Sequence, residues 1–184
     1  SGGNKVDGVI GVDPAGLASL LELTGPVTVE GLDEPLTAEN AVHILTKRQY
    51  LDFSKNEDSR KELLEAATRE TFKKLTKASL PAPRKLGDVL GPAVRGRHIQ
   101  VWSPTAREQA LFERVHADGA IAIAEGSDGF TIAEQNLGNN KIDAYLQRST
   151  AYDVTVDAAT GKLTANLQIV LDNKIPDIPF PPYV

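Results

Sequence analysis

Residues 7–29, DGVIGVDPAGLASLLELTGPVTV, constrain the fold more than any other stretch, because they carry the boundary signals of a strand, a helix and a second strand in succession. Val6, Val9, Ile10 and Val12 give the β-branched content of a short buried strand. Asp13 stands where a helix N-cap belongs, and Pro14 takes the first helical position, where its missing N–H costs nothing. Leu17, Leu20, Leu21 and Leu23 form one apolar stripe at near-helical spacing. Gly25 suits the left-handed position after a helix, and Pro26 prevents its continuation. Val27 and Val29 flank Thr28 in an alternating strand that Gly31 closes. A β-α-β unit of this length implies two strands in one sheet with the helix on a face.

The remaining chain alternates helical and strand patterns. An acidic loop over residues 31–36 leads to Thr37, an N-cap with Glu39 in the first turn, and a helix through Ala41, Val42, Ile44 and Leu45. After a polar break at 54–59 comes the longest helix, expected over 60–77, with Leu63, Leu64, Ala67, Phe72 and Leu75 as its apolar stripe. Prolines 81 and 83 stop it, and an amphipathic turn carries Leu86, Val89, Leu90 and Val94. HIQVW, residues 98–102, reads as a strand, and Ser103-Pro104 repeats the cap-plus-proline device to open another helix. Residues 119–124 and 130–133 read as short strands around a turn, followed by a polar knot at 134–141. Residues 151–156 and 163–171 form a hairpin that turns at 157–161. The expected architecture is α/β or α+β over residues 4–172: a mixed β-sheet flanked by helices, with a C-terminal antiparallel hairpin. Residues 1–3 read as a tag remnant, and the proline-rich 173–184 as a tail leading into a following region.

Composition narrows the function classes. The chain of 184 residues, 41% hydrophobic, can bury one proper core. Its net charge of -5 and pI near 5.2 argue against general nucleic-acid binding, which needs a basic footprint. The lack of cysteine excludes disulfides, thiolate metal sites and cysteine nucleophiles. The lack of methionine indicates that the chain does not begin at a native start. No apolar run approaches the length of a membrane span.

Candidate chemistry is sparse. Lys47 and Arg48 end one helix, and Arg60 and Lys61 open the next, so a short polar turn can bring two guanidiniums into a bidentate phosphate clamp. The same cations also suit solvated helix ends. Asn139, Asn140 and Lys141, with Gly138, can form an anion-binding nest of backbone N–H groups, or simply a side-chain-capped loop. Asp7 and Asp13 can offer carboxylate oxygens to Mg²⁺, although capping already accounts for Asp13. His43, His98 and His116 lack ligand spacing, and Ser103 lacks the G-x-S-x-G elbow of a serine nucleophile. Neither a P-loop nor a G-x-G-x-x-G is present. No catalytic residue is assigned.

The segments DGVIGVDPAGLASLLELTGPVTV, LTAENAVHIL, SRKELLEAA, RHIQVWSPTAREQALFERV and QNLGNNKIDAYLQR together resemble an uncharacterised bacterial envelope family, domain-of-unknown-function family 4012, over nearly the whole chain. That resemblance implies a membrane-anchored parent with this domain outside the membrane, and no assigned activity. The first half is more distantly similar to the LytR-CpsA-Psr phosphotransferases, which bind a polyprenyl pyrophosphate through arginines with Mg²⁺ and attach glycopolymers to the cell wall. Arg48 falls on the second arginine of that family's R-x-R pair, and Arg60 on the arginine that opens its next helix. Thr46 stands where the first arginine of the pair is expected, and Lys61 where glutamine usually follows. A lost clamp arginine removes contacts that a transferring pyrophosphate needs. The expectation is therefore a non-catalytic extracytoplasmic module that binds an isoprenoid pyrophosphate or cell-wall glycan. The alternatives are a divergent phosphotransferase that uses Mg²⁺, and a purely structural module of a larger envelope protein.

Overall fold

The computed structural model describes residues 5–52, 57–121, 127, 129–137 and 142–177. Their order is β1 (Val9–Val12), α1 (Pro14–Thr24), α2 (Ala41–His43), a π-helical turn (Ile44–Arg48), α3 (Gln49–Asp52), α4 (Glu57–Lys77), α5 (Pro83–Arg95), β2 (Ile99–Trp102), α6 (Ala106–Arg114), a 3-10 turn (Ile142–Tyr145), β3 (Leu146–Val156) and β4 (Leu163–Asn173). The chain divides into two compact units, residues 1–133 and 134–184. The class is α+β, with two sheets of two antiparallel strands each in place of the single mixed sheet expected.

In the first unit, α1 forms as its sequence dictates. The Asp13 Oδ1 accepts from the N–H groups of Ala15 and Gly16, both at 2.9 Å, and Pro14 occupies the first turn. Gly25 ends the helix at φ 79°, donating its N–H to the Leu21 carbonyl. The β-α-β expectation fails beyond that point. Val27 makes only an isolated antiparallel bridge with Leu36, and Val27, Val29 and Leu36 are packed into the core. The partner of β1 is instead β2, antiparallel, with Val9 opposite Trp102 and Val12 opposite Ile99. Nor is β1 buried as expected; all four of its residues are exposed.

The core joins Leu17 and Leu21 of α1 to Val27, Val29, Leu36, Ala41, Ile44 and Leu45, and to Leu63, Ala66 and Ala67 of α4. Thr37 anchors the entry to α2: its Oγ1 accepts from the N–H groups of Glu39 and Asn40, while its own N–H donates to Asn40 Oδ1 at 2.7 Å. Gly16 lies so close to the His98–Ile99 backbone that a Cβ there would overlap the His98 carbonyl. This contact holds α1 against the start of β2. The segment expected as an amphipathic turn is the full helix α5, opened by Pro83. The cap at Ser103 is displaced, since α6 begins at Ala106 with Thr105 as the capping position. Residues 130–133 form no strand, and the turn expected before them lies largely outside the described residues.

The second unit is dominated by the β3–β4 hairpin, which turns where its sequence pattern indicates and is longer at the open end, from Leu146 and to Asn173. Asp157 Oδ1 accepts from the N–H groups of Ala159 and Thr160, and Gly161 takes φ 70° to complete the turn. Arg148 pairs with Glu134 at 2.6 Å.

Candidate functional site

The cation cluster is the strongest site expectation from sequence. Arg48 ends the π-helical turn, a local widening often found at functional positions. Its guanidinium is held by Glu34 and, at 2.9 Å, by Asp52. The hydrogen bonds that it donates to Glu34 and then to Asp52, with their negative charge, raise its pKa above the ordinary arginine value. Arg60, on α4, lies over the Tyr50 ring, 5.4 Å from its centroid. The chain thus returns Arg60 to the neighbourhood of the Arg48 segment, with Lys47 and Lys61 adjacent in sequence. Asn139, Asn140 and Lys141 lie outside the described residues.

The two carboxylates proposed for Mg²⁺ have different surroundings. Asp13 uses Oδ1 to cap α1 and Oδ2 to meet His98 Nδ1 at 2.7 Å. Asp7 is exposed just before β1. Among the described residues, no three His, Cys, Asp or Glu side chains are grouped to hold a metal ion. An octahedral Mg²⁺ at Asp7 would need water or a ligand phosphate to complete its shell.

A trough of about 770 Å³ opens in the first unit, a feature the sequence did not single out. One side is formed by Val9, Ile10 and Val12 of β1 with Ile99, Val101 and Trp102 of β2. Another is formed by Leu64, Thr68, Thr71, Phe72 and Leu75 of α4, and Leu17 and Leu20 of α1, Leu90 of α5 and Phe112 of α6 complete the lining. Phe72 and Trp102 are half-exposed, at 52% and 47%. Among the described residues of this lining, Asp7, Asp13 and Glu108 are charged and none is Lys or Arg. Glu108 accepts the Ser103 hydroxyl at 2.6 Å. Thr71 is 1% exposed, and its hydroxyl has no hydrogen-bond partner. A buried hydroxyl without a partner among the described residues is costly and rare, and this one lies on the sealed side of α4.

The face of α4 explains why the trough escaped the sequence. Of the expected core stripe, Leu63 and Ala67 are buried, together with Ala66 and Thr71, whereas Leu64, Phe72 and Leu75 are not. The helix is apolar over two adjoining faces, and only one of them is sealed.

Comparison with known proteins adds one match. A model of a protein family of unknown function, DUF4012, matches residues 1–50. That span holds β1, α1 and Arg48, and so part of the trough lining. No curated protein and no solved structure matches the chain.

Proposed function

We propose that residues 5–133 form a non-catalytic binding module of an extracytoplasmic envelope protein, and that the trough takes the hydrocarbon chain of an isoprenoid. The observation that carries this reading is the trough itself: its volume falls in the range of ligand pockets, and its lining is mostly apolar. A few polar groups in such a lining fix orientation, and the exposed Thr68 is one of them here.

The charge distribution bears on which isoprenoid enters. A pyrophosphate head would meet Asp7, Asp13 and Glu108 at the trough, while an anion at Arg48 would compete with Glu34 and Asp52. Both effects favour an isoprenoid alcohol over its pyrophosphate. A cell-wall glycan is less well matched to the apolar lining. The resemblance to the LytR-CpsA-Psr phosphotransferases supports a second reading, phosphoryl transfer with Mg²⁺. It requires a ligand to complete the coordination that Asp7 and Asp13 lack.

The test is a thermal-shift titration with geranylgeraniol and with geranylgeranyl pyrophosphate, each with and without Mg²⁺. Saturation at about 100 times Kd stabilises by roughly 2.7 kcal/mol, a rise of about 5–10 °C for a domain of this size. The alcohol is expected to give this rise and the pyrophosphate a smaller one. A rise confined to the pyrophosphate with Mg²⁺ would favour the transferase reading. No rise with either would sink the isoprenoid reading and leave a structural module.

A further inference from the structure

Among the described residues, the β1–β2 ladder leaves one backbone edge open. The Asp13 N–H donates to the His98 carbonyl at 3.1 Å, while the His98 N–H turns to the Ala93 carbonyl, so Asp13 and His98 keep one of the two bonds of a hydrogen-bonded position. In an antiparallel ladder such pairs alternate with non-bonded ones. The backbone groups of Val9 and Gly11 therefore point towards β2, and those of Ile10 and Val12 point away from it. The far side of β2 agrees with this register. Val101, opposite Ile10, turns its N–H outward to the Ala117 carbonyl at 2.7 Å. Among the described residues, no strand pairs with the outer edge of β1, and Ile10 is 54% exposed.

An exposed, β-branched edge of this kind is a template for strand addition. Its charge selects the strand. Asp7 lies just before β1 and Asp13 just after it, Glu108 adds a third carboxylate to the neighbouring trough, and the chain as a whole carries -5. A second copy of this chain would bring Asp7 and Asp13 of both strands together and is disfavoured.

We propose that the outer edge of β1, at Ile10 and Val12, accepts an extended segment of a cationic partner polypeptide as a third strand of the β1–β2 sheet. The backbone supplies the affinity, valine-like side chains on the incoming strand continue the apolar face of Ile10 and Val12, and lysine or arginine at its ends meets Asp7 and Asp13. The new strand lies in the plane of the sheet, whereas an isoprenoid would contact its face. The proposal therefore stands or falls apart from the isoprenoid reading.

The test uses a short peptide of alternating valine and threonine with lysine at each end, titrated into the whole chain without isoprenoid and followed by fluorescence anisotropy. Saturable binding that weakens with salt is expected. Methylating the peptide nitrogens on its pairing edge should weaken binding at least tenfold while leaving the protein untouched. Replacing the terminal lysines with glutamates should weaken it several-fold. Ile10→Pro should also abolish binding, because the N–H it removes faces outward and the β1–β2 ladder does not use it. Equal affinity of the methylated and unmethylated peptides would overturn the proposal. So would equal affinity of the glutamate-ended peptide, a failure to bind, or a concentration-dependent dimer of the chain that excludes the peptide.

Discussion

Residues 5–133 and the β3–β4 hairpin contain similar apolar side chains but handle them differently. In the first unit, Leu21, Leu36 and Ile44 are 2%, 0% and 1% exposed, sealed among α1, the π-helical turn and α4. In the second, no described residue is buried. One face of β4 carries Leu163, Leu167, Ile169 and Leu171 opposite Val156, Tyr152, Thr150 and Arg148, all open to solvent. An isolated hairpin of this kind is marginal, because backbone pairing and cross-strand contacts scarcely offset the entropy of ordering two strands. Stability in this molecule is concentrated in the first unit, as is the trough.

The largest effect expected from that contrast is at the core. Leu36→Ala should destabilise the first unit by about 2–5 kcal/mol through lost burial and a residual cavity, read by chemical denaturation. The NMR shifts of β3 and β4 should hardly change; if they collapse in step, the units unfold as one and the contrast is broken. Gly16→Ala comes next. Its methyl group collides with the His98 carbonyl, and overpacking of this kind costs about 1–3 kcal/mol. Asp13→Ala should cost about 0.5–2 kcal/mol through the lost cap, and it also removes the partner of His98. Its unfolding midpoint in denaturant checks this.

The smallest effect belongs to the hairpin turn. Backbone N–H donation from Ala159, with Thr160, holds the Asp157 carboxyl below its ordinary value. Because the folded pKa is the lower one, its contribution is complete above the unfolded value and disappears as pH falls through the folded value. The turn should therefore loosen in acid, below about pH 4, seen in the amide shifts of Ala159 and Thr160. Asp157→Ala should remove that step without altering the core of the first unit.

Local signals were legible where chemistry and position coincide. Asp13-Pro14 and Gly25 bound α1 as their residue types require, and the hairpin turn follows from Asp157 and Gly161. What escaped the sequence depends on partners distant in the chain. Nothing in Val27-Thr28-Val29 says that its partner is Leu36 and not β1, since alternation specifies a strand but not its neighbour. The displaced cap at Ser103 has a similar origin. Its hydroxyl is drawn to Glu108, and its N–H donates to the Gln109 side chain, so the helix starts later. Helical periodicity did find α4, but it cannot tell the face packed on α1 from the face open to the trough. Of the site residues, Arg48 and Arg60 were legible as cations, whereas the carboxylates around Arg48 come from a loop residue and from the next turn.

Trp102, the sole tryptophan, lines the trough and makes the central claim directly measurable. Its emission should be followed during titration with geranylgeraniol in the wild type, in Phe72→Glu, and in Arg48→Ala combined with Arg60→Ala. Occupancy of the trough predicts a saturable blue shift that survives loss of both arginines and disappears with Phe72→Glu. A wild-type emission that does not move, or a shift lost with the arginines and retained in Phe72→Glu, would contradict it.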